Sequence, residues 1–168
     1  AIPAMKTGFQ ISIPPVIADV NDDGLLDIVV GSHDFGVHAW TKGAPIQNFP
    51  AKTGYRIYAP IAIADVTGDG IPEVVVVSAD RKIHAFTKDG QEPPPFPLDI
   101  GGVVESAPVV QDLDGDGVPE IALLTKDGVM HVVDAKGVKK AGFPAPVLGQ
   151  PPTGPVIGDL DGDGTQSL

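Results

Sequence analysis

Four stretches of this chain share one arrangement of carboxylates and glycine, and they recur at a nearly constant interval. They read Asp19-Val-Asn-Asp-Asp-Gly-Leu-Leu-Asp27, Asp65-Val-Thr-Gly-Asp-Gly-Ile-Pro-Glu73, Asp112-Leu-Asp-Gly-Asp-Gly-Val-Pro-Glu120 and Asp159-Leu-Asp-Gly-Asp-Gly-Thr-Gln-Ser167. Their first residues lie 46, 47 and 47 positions apart. A fixed period of this size marks a repeat architecture, in which one small unit recurs and buries its apolar faces on its neighbours.

The flanks repeat as well. An apolar run after proline precedes each loop, beginning at Pro15, Pro60, Pro108 and Pro155. A second run, Ile28-Val-Val, Val74-Val-Val-Val or Ile121-Ala-Leu-Leu, follows the first three loops. A third, Val37-His-Ala-Trp, Ile83-His-Ala-Phe or Met130-His-Val-Val, comes next, and each unit closes on Phe49-Pro50, Phe96-Pro97 or Phe143-Pro144. Runs of four to six residues rich in Val and Ile are too short for helices and favour strands. Proline has no amide to give a ladder, so Pro45 and Pro50, or Pro93 to Pro95, belong on an outer edge strand. The Asp89-Gly90 and Asp127-Gly128 pairs suit tight turns. The expected fold is all-β, with β-propeller blades of four antiparallel strands. Three blades span 15–60, 61–107 and 108–154. Residues 1–14 resemble the end of a preceding blade, and 155–168 the start of a further one.

The loop spacing sets oxygen side chains at positions one, three, five and nine, with glycine at six for the sharp turn. Calcium takes six to eight hard oxygen ligands in a forgiving geometry, and alternate positions of a tight loop can converge on one ion. The carbonyl of position seven, on Leu25, Ile71, Val118 or Thr165, is a further natural ligand. An EF-hand needs glutamate at position twelve, where this chain has Val30, Val76 and Leu123. Magnesium demands stricter octahedral geometry, and zinc would call for Cys or His in the loops. The four loops hold 14 of the 22 acidic residues, whose mutual repulsion calls for a cation. Four calcium ions would bring the formal charge of −11 to about −3. The loops differ: Thr67 replaces a carboxylate in the second, and Ser167 replaces the ninth-position acid in the fourth.

These residues resemble the FG-GAP/VCBS repeat family, the calcium-binding blades of integrin-α-type heads, over essentially the whole chain. The resemblance implies seven- or eight-bladed propellers with calcium on the loop joining the first two strands of each blade. Carried over by position, the ligands are Asp19, Asn21, Asp23 and Asp27; Asp65, Thr67, Asp69 and Glu73; Asp112, Asp114, Asp116 and Glu120; and Asp159, Asp161 and Asp163. Three to four ions follow. The chain departs from the family pattern in lacking Phe-Gly before the loop, in Glu at position nine of two loops, and in having too few blades to close a ring.

Composition excludes other classes. Without cysteine there is no disulfide scaffold and no thiolate site. The acidity argues against nucleic acid or an anionic membrane as partner. No apolar run approaches the ~20 residues of a membrane span, and no signal peptide is visible, so the chain, which begins at Ala1, reads as a mature form or an excised piece. No nucleophile elbow surrounds Ser32, Ser78 or Ser106, and no phosphate loop occurs. Glu105 is a singular acid without a visible catalytic partner. His38, His84 and His131 each stand 19 residues after a loop's first Asp, and they read as strand positions that accept imidazole between blades. Trp40, Phe86 and Val133 share one position and read as inter-blade packing. His33 reads as a turn residue, Tyr55 and Tyr58 as strand or groove residues, and Lys136, Lys139 and Lys140 as a solvated edge. The expected function is a non-enzymatic, calcium-stabilised extracellular module that binds glycan or protein, either part of a larger propeller or self-associating. Its rivals are the propeller of a secreted polysaccharide lyase or hydrolase and a subunit of a cell-surface fibre.

Overall fold

A computed structural model describes residues 4–147 and 154–158, and every regular element within them is a β-strand. The strands form three antiparallel sheets in chain order. The first holds β1 (Val16–Ala18), β2 (Asp27–Gly31), β3 (Gly36–Thr41), β4 (Ala44–Pro45) and β5 (Ala51–Lys52). The second holds β6 (Ala62–Ala64), β7 (Glu73–Ser78), β8 (Lys82–Phe86) and β9 (Leu98–Asp99). The third holds β10 (Val109–Gln111), β11 (Glu120–Leu124), β12 (Val129–Asp134) and β13 (Ala145–Pro146). The apolar runs on either side of the first three loops, and the third run that follows each, form strands as expected, because Val and Ile suit a pleated surface that is buried on both sides; the run at Pro155 carries no strand among the described residues.

The outer edge differs from expectation. In the first sheet β4 and β5 both pair with β3, Pro45 opposite Trp40 and Lys52 opposite Gly36, so the edge is one strand broken by a turn. In the second sheet the outer strand is Leu98–Asp99, paired with Ile83 and Lys82. Pro93 to Pro95 are not in a strand; the Phe96 amide donates to the Pro93 carbonyl in a turn. Three consecutive prolines lack the amides a ladder needs, so pairing resumes only beyond Pro97.

The sheets pack face to face through alternate residues of β7. Val74 and Val76 join Val29, Val37 and Ala39 of the first sheet, together with Phe86. Val75 and Val77 point the other way, to Ile121, Leu123 and Val133 of the third. All six residues of β7 are buried, which is why the run is continuously apolar instead of alternating. Phe86 and Val133 therefore do pack between sheets. The first strands β6 and β10 of neighbouring sheets touch.

Each segment that enters a sheet is pinned to that sheet's central hairpin. The amides of His33, Ala79 and Lys126 donate to the carbonyls of Gln10, Arg56 and Val103 at 2.8–3.0 Å. His33 lies in the β2–β3 turn as expected. The three repeated histidines fall on β3, β8 and β12, one per sheet, so they do not converge. No helix among the described residues is long and apolar enough to cross a membrane.

Candidate metal centre

The acidic loops join the first two strands of each sheet. Their ninth-position acids, Asp27, Glu73 and Glu120, open β2, β7 and β11. Val30, Val76 and Leu123 lie inside those strands, so the twelfth position faces no loop ligand set.

One hydrogen-bond scheme builds all three loops. The first aspartate folds the loop over itself: the Gly24, Gly70 and Gly117 amides donate to Asp19, Asp65 and Asp112 at 2.8, 2.7 and 2.9 Å. Gly24, Gly70 and Gly117 have φ of 79°, 85° and 83°, a backbone that a side chain would strain. The position-five aspartates Asp23, Asp69 and Asp116 accept the amides of Leu25, Ile71 and Val118 at 2.8–2.9 Å. The ninth-position acid ties the loop to the strand by accepting the amide of Val20, Val66 or Leu113 at 3.0, 2.9 and 2.7 Å. Short polar side chains hold such loops closed by bonding their own backbone.

The ninth-position acids are almost wholly buried, Asp27 and Glu120 completely. Each spends one oxygen on the loop amide. The other, Asp27 Oδ1 or Glu120 Oε1, is buried without a hydrogen-bond partner. In the second loop Glu73 Oε1 has only Thr67 Oγ1, at 3.4 Å. Burial pushes the Glu73 carboxyl above the ordinary glutamate value, with Asp69 and Asp65 adding to the effect against the Val66 amide. Burial would push Asp65 up as well, but the amides of Gly70 and Gly68 outweigh it and hold that carboxyl low. A desolvated carboxylate oxygen without a hydrogen-bond partner, at the end of a loop rich in oxygen side chains, has the chemistry that fits a hard divalent cation.

In the third loop, carboxylate oxygens of Asp112, Asp114 and Asp116 lie within 4.8 Å of one another. Asn21 and Thr67 stand at position three in the other loops; Asn21 Nδ2 donates to Asp23 at 3.1 Å, and Thr67 Oγ1 lies 3.4 Å from Asp65. Asp159, Asp161 and Asp163 lie outside the described residues. The backbone amides of Leu25, Ile71 and Val118 serve the loop.

Several side chains singled out in the sequence have partners that only the structure shows. Lys140, expected on a solvated edge with Lys136 and Lys139, reaches the third loop instead, 2.7 Å from Asp114 Oδ2 and 2.9 Å from Glu120 Oε1. The Glu120 contact is an ion pair without hydrogen-bond alignment. His38 and His84 bond Asp34 and Asp80, an i, i+4 pair whose recurrence is visible in the sequence. Glu105 pairs with Lys126 at 3.0 Å on the surface. Tyr55 stacks on Phe35, with ring centroids 5.3 Å apart, and Tyr58 meets His33 edge-on.

Comparison with known proteins bears on this arrangement. A family model described as FG-GAP-like repeat matches residues 19–76 and 65–123, each match running from the first aspartate of one loop into the strand after the next. No curated protein matches. Among solved structures, the chain is similar to the V. cholerae biofilm matrix protein Bap1, with a TM-score of 0.63 and 23% identity over 94% of this chain and 28% of that one. It is also similar to BBS1N in complex with ARL6DN, with a TM-score of 0.54 and 13% identity over 85% of this chain and 56% of that one. The chain thus spans less than two thirds of either structure, and at these identities the likeness is one of fold. Two family matches that together cover residues 19–123, on sheets built around the same repeated loop, establish that the chain belongs to the FG-GAP-like repeat family.

Proposed function

We propose that this chain is a calcium-stabilised, non-catalytic β-propeller module that acts outside the cell as a binding or scaffold element. The observation that carries the reading is the buried, unpartnered oxygen of the ninth-position acid, Asp27 Oδ1. An unsatisfied buried polar atom costs about 1–3 kcal/mol, and more when charged. A calcium ion at each loop would offset that cost and the repulsion among its neighbours. Asp19, Asn21, Asp23, Asp27 and the Leu25 carbonyl would hold the first ion. Asp65, Thr67, Asp69, Glu73 and the Ile71 carbonyl would hold the second. Asp112, Asp114, Asp116, Glu120 and the Val118 carbonyl would hold the third, with Asp159, Asp161 and Asp163 contributing to a fourth.

A radial arrangement is supported by the packing of sheet on sheet and the touching first strands β6 and β10. Further blades would come from the remainder of a larger propeller or from other copies. Ile17 and Leu26 of the first repeat, 62% and 71% exposed, would be part of what they cover. Extracellular calcium at ~1 mM suits the weak affinities of extracellular modules. The similarity in fold to a biofilm matrix protein supports a scaffold role, with glycan or extracellular protein as partner. Glu105, engaged by an exposed lysine, supports a non-catalytic reading.

A melting curve with and without chelator, followed together with light scattering, tests this. At a hundredfold excess of calcium over Kd, each site adds about 2.7 kcal/mol, a rise of several degrees in Tm. A Tm indifferent to chelator overturns the calcium reading.

A further inference from the structure

The segment before each closing Phe passes the acidic loop at one equivalent position. Ile46, Pro93 and Lys140 each stand three residues before the closing Phe, and each gives its carbonyl to that Phe amide, at 3.2, 3.0 and 3.1 Å. Each also shares a surface cleft with position three of its own loop: Ile46 with Asn21, Pro93 with Thr67, Lys140 with Asp114. In the first two repeats both members of this pair are uncharged. In the third both are charged, and they meet at 2.7 Å. The lysine and the extra carboxylate thus arise together, in the same repeat.

The lysine does more than neutralise Asp114. Its ammonium bridges to Glu120 Oε1 at 2.9 Å, and Glu120 is completely buried. The equivalent oxygen in the first loop, Asp27 Oδ1, has no partner. At positions one, three, five and nine the third loop carries four acids, Asp112, Asp114, Asp116 and Glu120, against three in the first (Asp19, Asp23, Asp27) and three in the second (Asp65, Asp69, Glu73); one lysine brings it level with them. The Lys140 side chain is 24% exposed, so its charge is only partly screened by water.

We propose that Lys140 is the resident cation of the third loop: its ammonium bridges Asp114 and Glu120, closes the loop without metal, and must be expelled before calcium can enter. The proposal rests on the calcium reading of the other two loops. It makes the repeats unequal in kind. The first and second loops depend on calcium, whereas the third is set by the chain itself and answers only to higher calcium. The third sheet therefore holds its loop geometry under conditions that loosen the other two.

The position-six glycine amides of Gly24, Gly70 and Gly117 report the three loops separately in a ¹⁵N-correlated NMR titration with calcium chloride. Wild type, Lys140→Met and the exposed control Lys139→Met are compared. The Met variant keeps the apolar stem and removes the charge. Samples start calcium-loaded and are titrated down with chelator, so a variant that needs calcium to fold is still measured. In wild type the Gly117 amide should respond at a calcium concentration on the order of tenfold or more above the Gly24 and Gly70 amides. In Lys140→Met it should shift to at least tenfold lower calcium, while Gly24 and Gly70 do not move. Lys139→Met should leave all three unchanged. In chelator, Lys140→Met should melt below wild type, and calcium should restore it. A Gly117 response equal in wild type and Lys140→Met overturns the lysine proposal and leaves the calcium reading standing. No response at any of the three glycines overturns both.

Discussion

The His38 imidazole Nε2 lies 2.9 Å from Asp34 Oδ2 across the β2–β3 turn, and the same carboxylate accepts the Gly8 amide at 2.6 Å and the Gly36 amide at 2.9 Å. Asp80 repeats the pattern with His84, Gly54 and Lys82. Each aspartate thereby ties the segment entering a sheet to the turn of its central hairpin. Burial would raise the Asp34 carboxyl, but the Gly8 amide and His38 outweigh it and hold it below the ordinary aspartate value. Asp34→Ala should destabilise the protein by about 1–3 kcal/mol, since several donors lose one acceptor. Asp127→Ala, at the equivalent exposed turn position without a histidine bond, should cost less than half as much. Urea denaturation of both variants checks the difference, and equal losses would refute the clasp.

Asp27→Asn keeps an acceptor for the Val20 amide but replaces a charged oxygen with a carboxamide. Affinity at the first loop should fall at least tenfold, about 1.4 kcal/mol of calcium-linked stability. Calorimetric calcium titration and melting in calcium measure it. A variant whose calcium response matches wild type would show that the buried oxygen is no ligand.

Gly70→Ala isolates the loop backbone from its charge. A Cβ there meets nothing within 4 Å, so the only cost is the left-handed φ of 85°. The expected loss is about 1–2 kcal/mol, and it persists in chelator because strain does not depend on the ion. An unchanged Tm in chelator would show that the turn is not held in this conformation.

His131 faces burial without an aspartate bond. Burial first, and Lys139 second, hold its imidazole below the ordinary histidine value of 6.5. The folded state thus favours the neutral ring. The associated stability is complete above the unfolded value of 6.5 and is lost as pH falls below it through the lower folded value. His131→Gln should flatten the fall in unfolding free energy over that window. Urea titrations at several pH values test it, and a slope equal to wild type would assign the acid sensitivity elsewhere.

Much of this architecture was legible beforehand. The 46- and 47-residue spacing, the Val- and Ile-rich runs and the alternating carboxylates each follow from local rules, so strand runs, loop positions and the family could be read directly. The outer edge was less legible. Pro93 to Pro95 fall in a turn because pairing depends on which amides face the neighbouring strand, and the Phe96-Pro97 segment sets that only once the turn has formed. Lys140 is the least legible position. Beside Lys136 and Lys139 it looks like one more solvated charge, and only its register against Ile46 and Pro93 marks it out.

What the chain determines by itself is periodic: which residues extend, where glycine lets a loop turn back, and which acids face one another at close sequence distance. What the folded structure alone decides is pairing between distant segments. Lys140 meets an aspartate 26 residues away, Gly8 caps the turn at Asp34, and β7 buries both faces because a sheet lies on each side. Such contacts are set by sheet register and packing, which act through space and leave no short-range mark on the sequence.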